Sequence, residues 1–224
     1  MILFPNEFWS PITLSLKIAS ISVVIVFLFG IIFARLFTLR AFKGKAFIET
    51  ILMLPIVLPP TVIGFLLIFF FGRNSPIGTL IEEIFHQSIM FTTWAAIIAS
   101  TIVAFPLMFQ TVKLGFQSVD KDIEEAARVD GANEMKVFLF VTLPLSAKSM
   151  VTGLILSFAR ALGEFGATLM FAGNIPGKTQ TAPTAIYVAM DSGNMSLAWM
   201  LVLSMVVISF LMLFVTNYSV KQKP

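Results

Sequence analysis

Residues 124–144 read EEAARVDGANEMKVFLFVTLP, an island of charge and turn residues in a chain whose other long stretches are mostly apolar. Around it, 58% of the residues are hydrophobic, 12% are charged and the mean hydropathy is +0.94. These values lie far outside the range of ordinary soluble domains and describe an integral membrane protein. The 224 residues suffice for about five or six helices of roughly 20 residues, enough for one membrane domain over 1–224 and too few for a fused soluble enzyme. Absence of cysteine excludes disulfides, thiolate nucleophiles and cysteine-bound metal, and the single His86 excludes a histidine cage.

Charge-free runs at 18–34, 50–72, 87–112 and 192–220 are each long enough, or nearly so, to cross about 30 Å of hydrocarbon. A fifth apolar segment, 147–172, carries Lys148 near its start and Arg160 and Glu164 inside. The expected spans are therefore about 12–35, 47–72, 89–112, 147–172 and 194–219. Arg35, Arg40, Lys43 and Lys45 stand together without an acid, which puts that loop in the cytoplasm. Alternation then places Lys113, Lys121, Arg128, Lys136, Lys148, Lys221 and Lys223 inside, and leaves only Arg73 and Lys178 outside. The expectation is an all-α, multi-pass protein of the cell membrane with its N-terminus outside. MILFPNEFW has no basic residue, so the first span is expected to insert as an uncleaved anchor.

The quoted stretch falls in the longest cytoplasmic loop, about 118–141. Ser118 and Asp120 are candidate N-caps, Asp120, Asp122, Glu124 and Glu125 suit the positive end of a helix dipole, and Gly131 supplies a left-handed stop. A short helix over about 120–130 follows, with Ile123, Ala126 and Ala127 on one side and Glu124 paired with Arg128. Asn133 caps a second short helix through VFLFV, and Leu143–Pro144 redirects the chain into the next span. Such a unit is either a solvated connector or, given the small residues at 126, 127, 131 and 132, a low surface that another protein's groove can grip.

Glu125-Ala126-Ala127, three residues, Gly131, nine residues, Val141, Thr142, Leu143-Pro144 resembles the EAA signature of ABC importer permeases, with Val141 in place of isoleucine. The resemblance implies the type I permease fold and a coupling helix that docks on a cytoplasmic ATPase subunit. It assigns coupling to Glu124, Glu125, Ala126, Ala127, Arg128, Gly131, Leu143 and Pro144, with Glu125 in polar contacts and Gly131 at the turn. LPIVLPPTVIGFLL (54–67), FPLMFQTVKLGFQSVD (105–120) and SFARALGEFGATLMFAGNIPGKTQTAPTAIY (157–187) further resemble permease subunits of molybdate importers. Sulfate and thiosulfate permeases share the loop and a similar arginine, glycine and glutamate segment, and are the competing reading. The implied partners are a second copy of the chain, two ATPase subunits that bind the ATP, an external molybdate-binding protein and the lipid bilayer. No nucleic-acid partner, chain-bound cofactor, catalytic residue or metal site is expected, and molybdate, with tungstate, is the implied cargo.

Pro55, Pro59 and Pro60 remove backbone donors from the second span, so they kink or unwind it. Pro59, Pro60 and Thr61 are accordingly candidates for lining a pathway, or a structural bend. Arg160 and Glu164, one turn apart, are either a mutually neutralising pair or, for Arg160 alone, an attraction for an oxyanion. Glu164 is assigned to structure or gating, and Thr168 joins the pathway candidates. GNIPGKT (173–179) is one residue short of a phosphate-binding GxxxxGK[ST] loop, has no preceding strand and lies outside. An enzyme is disfavoured because no nucleophile has a base in the spans, and a proton-driven carrier because no repeat or second acid offers a relay.

Overall fold

The computed structural model describes residues 5–39 and 42–221, with side chains for 6–39 and 42–214. Arg40, Lys223 and the side chain of Lys221, counted above among the inner charges, lie outside the described residues. Among the described residues every regular element is helical.

Three helices form the centre: α1 (Pro5–Leu39), α5 (Thr93–Gln117) and α9 (Ala147–Leu162). The face of α1 that meets α5 carries Ala19, Ser22, Val26, Gly30, Ala34 and Phe37, all buried at the three-and-four spacing of a single stripe. In lipid the hydrophobic effect does not favour helix–helix contact over lipid contact, so close approach and interhelical hydrogen bonds carry the packing. A Cβ on Gly115 would fall 2.5 Å from Ser149 Cβ, and one on Gly153 would fall 2.7 Å from Met108 Sδ, so α5 and α9 touch backbone to side chain. Ser22 Oγ donates to Ile97 O (3.0 Å), Ser146 Oγ to Gly115 O (3.1 Å) and Ser157 Oγ to Ala104 O (3.3 Å), stitching the three helices together.

The second apolar segment is not one rod. α2 (Lys45–Val57) and α3 (Pro60–Phe71) meet at 118°. Leu58 and Pro59 each precede a proline, which disfavours the helical region, and both are extended (ψ 140° and 137°). None of the residues of α2 is buried, and it leans mainly on α5, whereas α3 packs on α10 (Gly166–Ala172). Among the described residues three helices are long and apolar enough to cross a membrane, or up to five if each bent pair is one span.

Four details differ from the expectation. The external loops hold two further helices, α4 (Pro76–Phe85) and α11 (Ala182–Asp191). The apolar stretch 147–172 is interrupted between α9 and α10, where the Glu164 side chain accepts the Ala167 amide at 2.8 Å and so starts a new helix. Ser118 ends α5, leaving Asp120 alone to cap α6 (Lys121–Val129). Leu143–Pro144 does not turn the chain: α7 (Glu134–Val137), a π-helical turn (Phe138–Thr142) and α8 (Leu143–Leu145) run on together, and the 67° bend comes at Ser146. α12 (Met195–Lys221) lies at the periphery, touching the rest mainly through α11.

Candidate functional site

At the end of the bundle that carries Arg35, α6 is a nine-residue helix with both ends closed by its own sequence. Asp120 Oδ1 accepts the Asp122 amide (3.0 Å). At the other end the Gly131 amide bonds Arg128 O and the Ala132 amide bonds Ala127 O, both at 3.0 Å, with Gly131 at φ +88°. That is a Schellman closure, which places the left-handed residue just past the helix, where glycine carries no steric penalty. Asn133 Oδ1 accepts the Lys136 amide and starts the next helix.

The helix has two distinct faces. Glu125, Ala126 and Val129 are exposed, with Ile123 beside them and Val129 at 87% of its full accessibility. Glu124, Ala127 and Arg128 turn inward and are half-buried. The expected side of Ile123, Ala126 and Ala127 is thus divided, because the contacts of Glu124 set the rotation of the helix. Glu124 Oε1 accepts the buried Thr142 hydroxyl at 2.5 Å and lies 4.0 Å from Arg35 Nη1, while Oε2 is 3.5 Å from Arg128 Nη2. Arg128 also grips Glu134 through Nε (2.7 Å) and Nη2 (3.2 Å). Arg35 lies over the Phe138 ring, 4.6 Å from its centre. The Arg128 hydrogen bond holds the Glu134 carboxyl below its ordinary value of 4.5. The pair therefore adds stability above that value and loses it as pH falls through the lowered one. Leu143 and Pro144 lie beyond Thr142, Leu143 half-buried and Pro144 exposed.

A second group lies where the two helix breaks meet. Gly166 packs so near Pro60 that a Cβ on it would come within 2.9 Å of Pro60 Cβ. Arg160 Nη1 donates to Glu164 Oε2 at 2.8 Å, and Glu164, 2% exposed, spends its other oxygen on the Ala167 amide. Pro59, Pro60 and Thr61 are exposed, Arg160 is partly exposed, and Thr168 is fully buried with an unpartnered hydroxyl.

Sequence reasoning missed the ion pair of Lys113 (α5) with Glu49 (α2). The signal was there: both residues stand at the cytoplasmic ends of their apolar runs, hence at one membrane depth. In the sequence Arg35 is only an inner charge and Thr142 only a place in the signature with no role assigned, since nothing in the spacing announces their meeting with Glu124. GNIPGKT is a closed turn in which the amides of Lys178, Thr179 and Gln180 converge on Ile175 O and Thr179 Oγ1 accepts the Ile175 amide. Those donors are not free to cradle a phosphate. Among the described residues no cluster of three His, Cys, Asp or Glu is arranged to hold a metal ion.

The family described as binding-protein-dependent transport system inner membrane component matches residues 26–222. The chain is 57% identical over 209 residues to YvgM of Bacillus subtilis (strain 168), provisionally named a molybdenum transport system permease protein, covering 93% of this chain and 92% of that one. It is 43% identical over 187 residues to the molybdenum transport system permease protein ModB of Escherichia coli (strain K12), covering 84% and 81%. Among solved structures, a bacterial ABC transporter involved in the import of the acidic polysaccharide alginate has a TM-score of 0.78 at 15% identity over 99% of this chain and 84% of that one. The MetNI methionine ABC transporter in an inward-facing conformation gives 0.75 at 17% identity over 98% of both chains. At such identities these two likenesses bear on the fold alone.

Proposed function

The chain belongs to the family of binding-protein-dependent transport system inner membrane components, and on that premise we propose that it is the transmembrane subunit of an ATP-driven importer that moves molybdate into the cytoplasm. As a permease it is a transport component and not an enzyme. The cargo rests on the relatives named for molybdenum transport, which match over most of their length.

The coupling reading rests on one observation above the others: a capped, charged helix that leaves Glu125, Ala126 and Val129 uncovered at the cytoplasmic end. Side chains of that size let a partner's groove close on the backbone, and Glu125 supplies a polar anchor. The ATP would be bound and hydrolysed by that partner. Two copies of the chain with two ATPase subunits would form the complex, and a binding protein would deliver the anion at the external end. There the loop of Pro176 and Gly177 and the start of α1, with Glu7 and Ser10, line a cavity of about 630 Å3.

At the junction of the two helix breaks, Glu164 is occupied by Arg160 and by the α10 amide, which supports a structural role for that carboxylate. Arg160, Pro59, Pro60 and Thr61 are the candidates for facing the anion, and Thr168 for supporting them from behind. The decisive experiment reconstitutes the chain with its ATPase subunit and binding protein in liposomes and measures uptake of molybdate, tungstate and sulfate. ATP-dependent molybdate uptake is expected; uptake without the ATPase would sink the coupling reading, and preference for sulfate would reassign the cargo. Glu125→Lys and Gly131→Val variants are expected to insert in the membrane yet lose the ATPase on co-purification.

A further inference from the structure

We infer that Arg35 and Glu124 are positioning residues forming a transmission joint, which carries displacement of α6 into the first and fourth spans while the neighbouring Glu125 faces the docking partner. The inference rests on the reading of α6 as the ATPase-docking helix, and it divides two adjacent glutamates that sequence analysis treats alike.

Successive residues on a helix point about 100° apart. Glu125 is exposed, and among the described residues no side chain pairs with it, whereas both oxygens of Glu124 are taken by its own chain. Those partners sit on different elements. Arg35 belongs to α1, the long central helix, and its guanidinium is wedged over Phe138 with its side chain only 11% exposed. Thr142 is fully buried at the end of the π-helical turn that leads through α8 into α9. Glu124 thus joins α1, α6 and the approach to the fourth span through one half-buried carboxylate that also takes the Thr142 hydroxyl. Glu134 meets Arg35 at 4.0 Å but is far more exposed and makes no bond to Thr142.

Half-buried charges do not separate freely, because each would be left desolvated and unpaired. A push on α6 is therefore passed to Arg35 and Thr142 rather than absorbed by the loop. The π-turn adds a place where the fourth span can change register, since its hydrogen bonds are a residue longer than those of the flanking helix.

The test uses the complete transporter, permease with ATPase subunit and binding protein, in liposomes loaded against molybdate. Glu124→Gln and Arg35→Met are each expected to retain the ATPase on co-purification while molybdate taken up per ATP hydrolysed falls about tenfold. The double variant is expected to be no more than about twofold worse than the poorer single, as for residues acting through one another. Thr142→Val and Arg35→Lys, which disturb the joint without removing charge, are expected to give smaller losses of the same kind and serve if the first variants do not insert in the membrane. Wild-type uptake per ATP in the single variants, or in the mild pair if only those insert, would overturn the joint. So would loss of the ATPase from a Glu124→Gln variant that inserts normally, because Glu124 would then be a docking contact. Retention of the ATPase by Glu125→Lys and Gly131→Val would instead strike the docking reading, whatever Glu124 does.

Discussion

At the scale of single residues, Glu164 is the most constrained side chain in the spans. It is a carboxylate with almost no exposure, held by one cation and one helix-starting amide. Glu164→Gln keeps the shape and removes the charge, leaving Arg160 uncompensated and weakening the cap of α10. Breaking a buried pair costs about 3 to 5 kcal/mol; because Arg160 is 30% exposed on its side chain, about 2 to 3 kcal/mol is expected, read as a lowered melting temperature of the purified protein. Thr168 has the opposite character, with a buried hydroxyl that satisfies nothing. Thr168→Val, nearly equal in volume, is expected to leave stability unchanged or to raise it by up to about 1 kcal/mol in the same melting experiment. The pairing of Arg160 with Glu164 was readable from their four-residue spacing. The capping role of Glu164 was not, because it depends on a helix break that the apolar pattern conceals.

At the scale of elements, α2 is only loosely committed to the bundle. It has no buried residue, begins after Gly44 in a left-handed conformation, ends at the Pro59–Pro60 break and is tied to α5 by the pair of Glu49 with Lys113. Rods hinged at both ends and pinned by one ion pair are suited to move as units. Met53, which packs against the α1 and α5 core, reports on that motion. The chain contains no cysteine, so a single Met53→Cys probe is unambiguous. Its labelling by a small thiol reagent is expected to quicken several-fold when Lys113→Met is added. An unchanged rate would mean that apolar contact alone holds α2. The prolines that break this element are visible in the sequence, since each restricts the residue before it. The partner of Glu49 comes from sixty-odd residues away, and only packing reveals it.

At the scale of the whole molecule, one protomer leaves large apolar side chains exposed along α1, α2, α3 and α12. Lipid can cover some of that surface, and the proposed second copy would cover another part. The purified permease with its ATPase subunit is expected to contain two copies of the 24.7 kDa chain by light scattering; a single copy would refute the homodimer. Composition and the EEAARVDG segment were enough for an all-helical membrane protein and for a short capped helix over about 120–130, which the structure places at Lys121–Val129; the charge distribution gives the expected orientation. Those features are local or statistical: apolar runs must satisfy lipid, basic loops must stay inside, and caps act within a few residues of the chain. Which side of that helix faces its own chain was not accessible in this way. The helical pattern offers several rotations of nearly equal cost, and the choice among them falls to Arg35 and Thr142, brought to Glu124 from elements remote in sequence. The meeting of the two broken spans at Pro60 and Gly166 has the same origin, because close backbone contact between distant segments is a property of packing and leaves no periodic trace in either one.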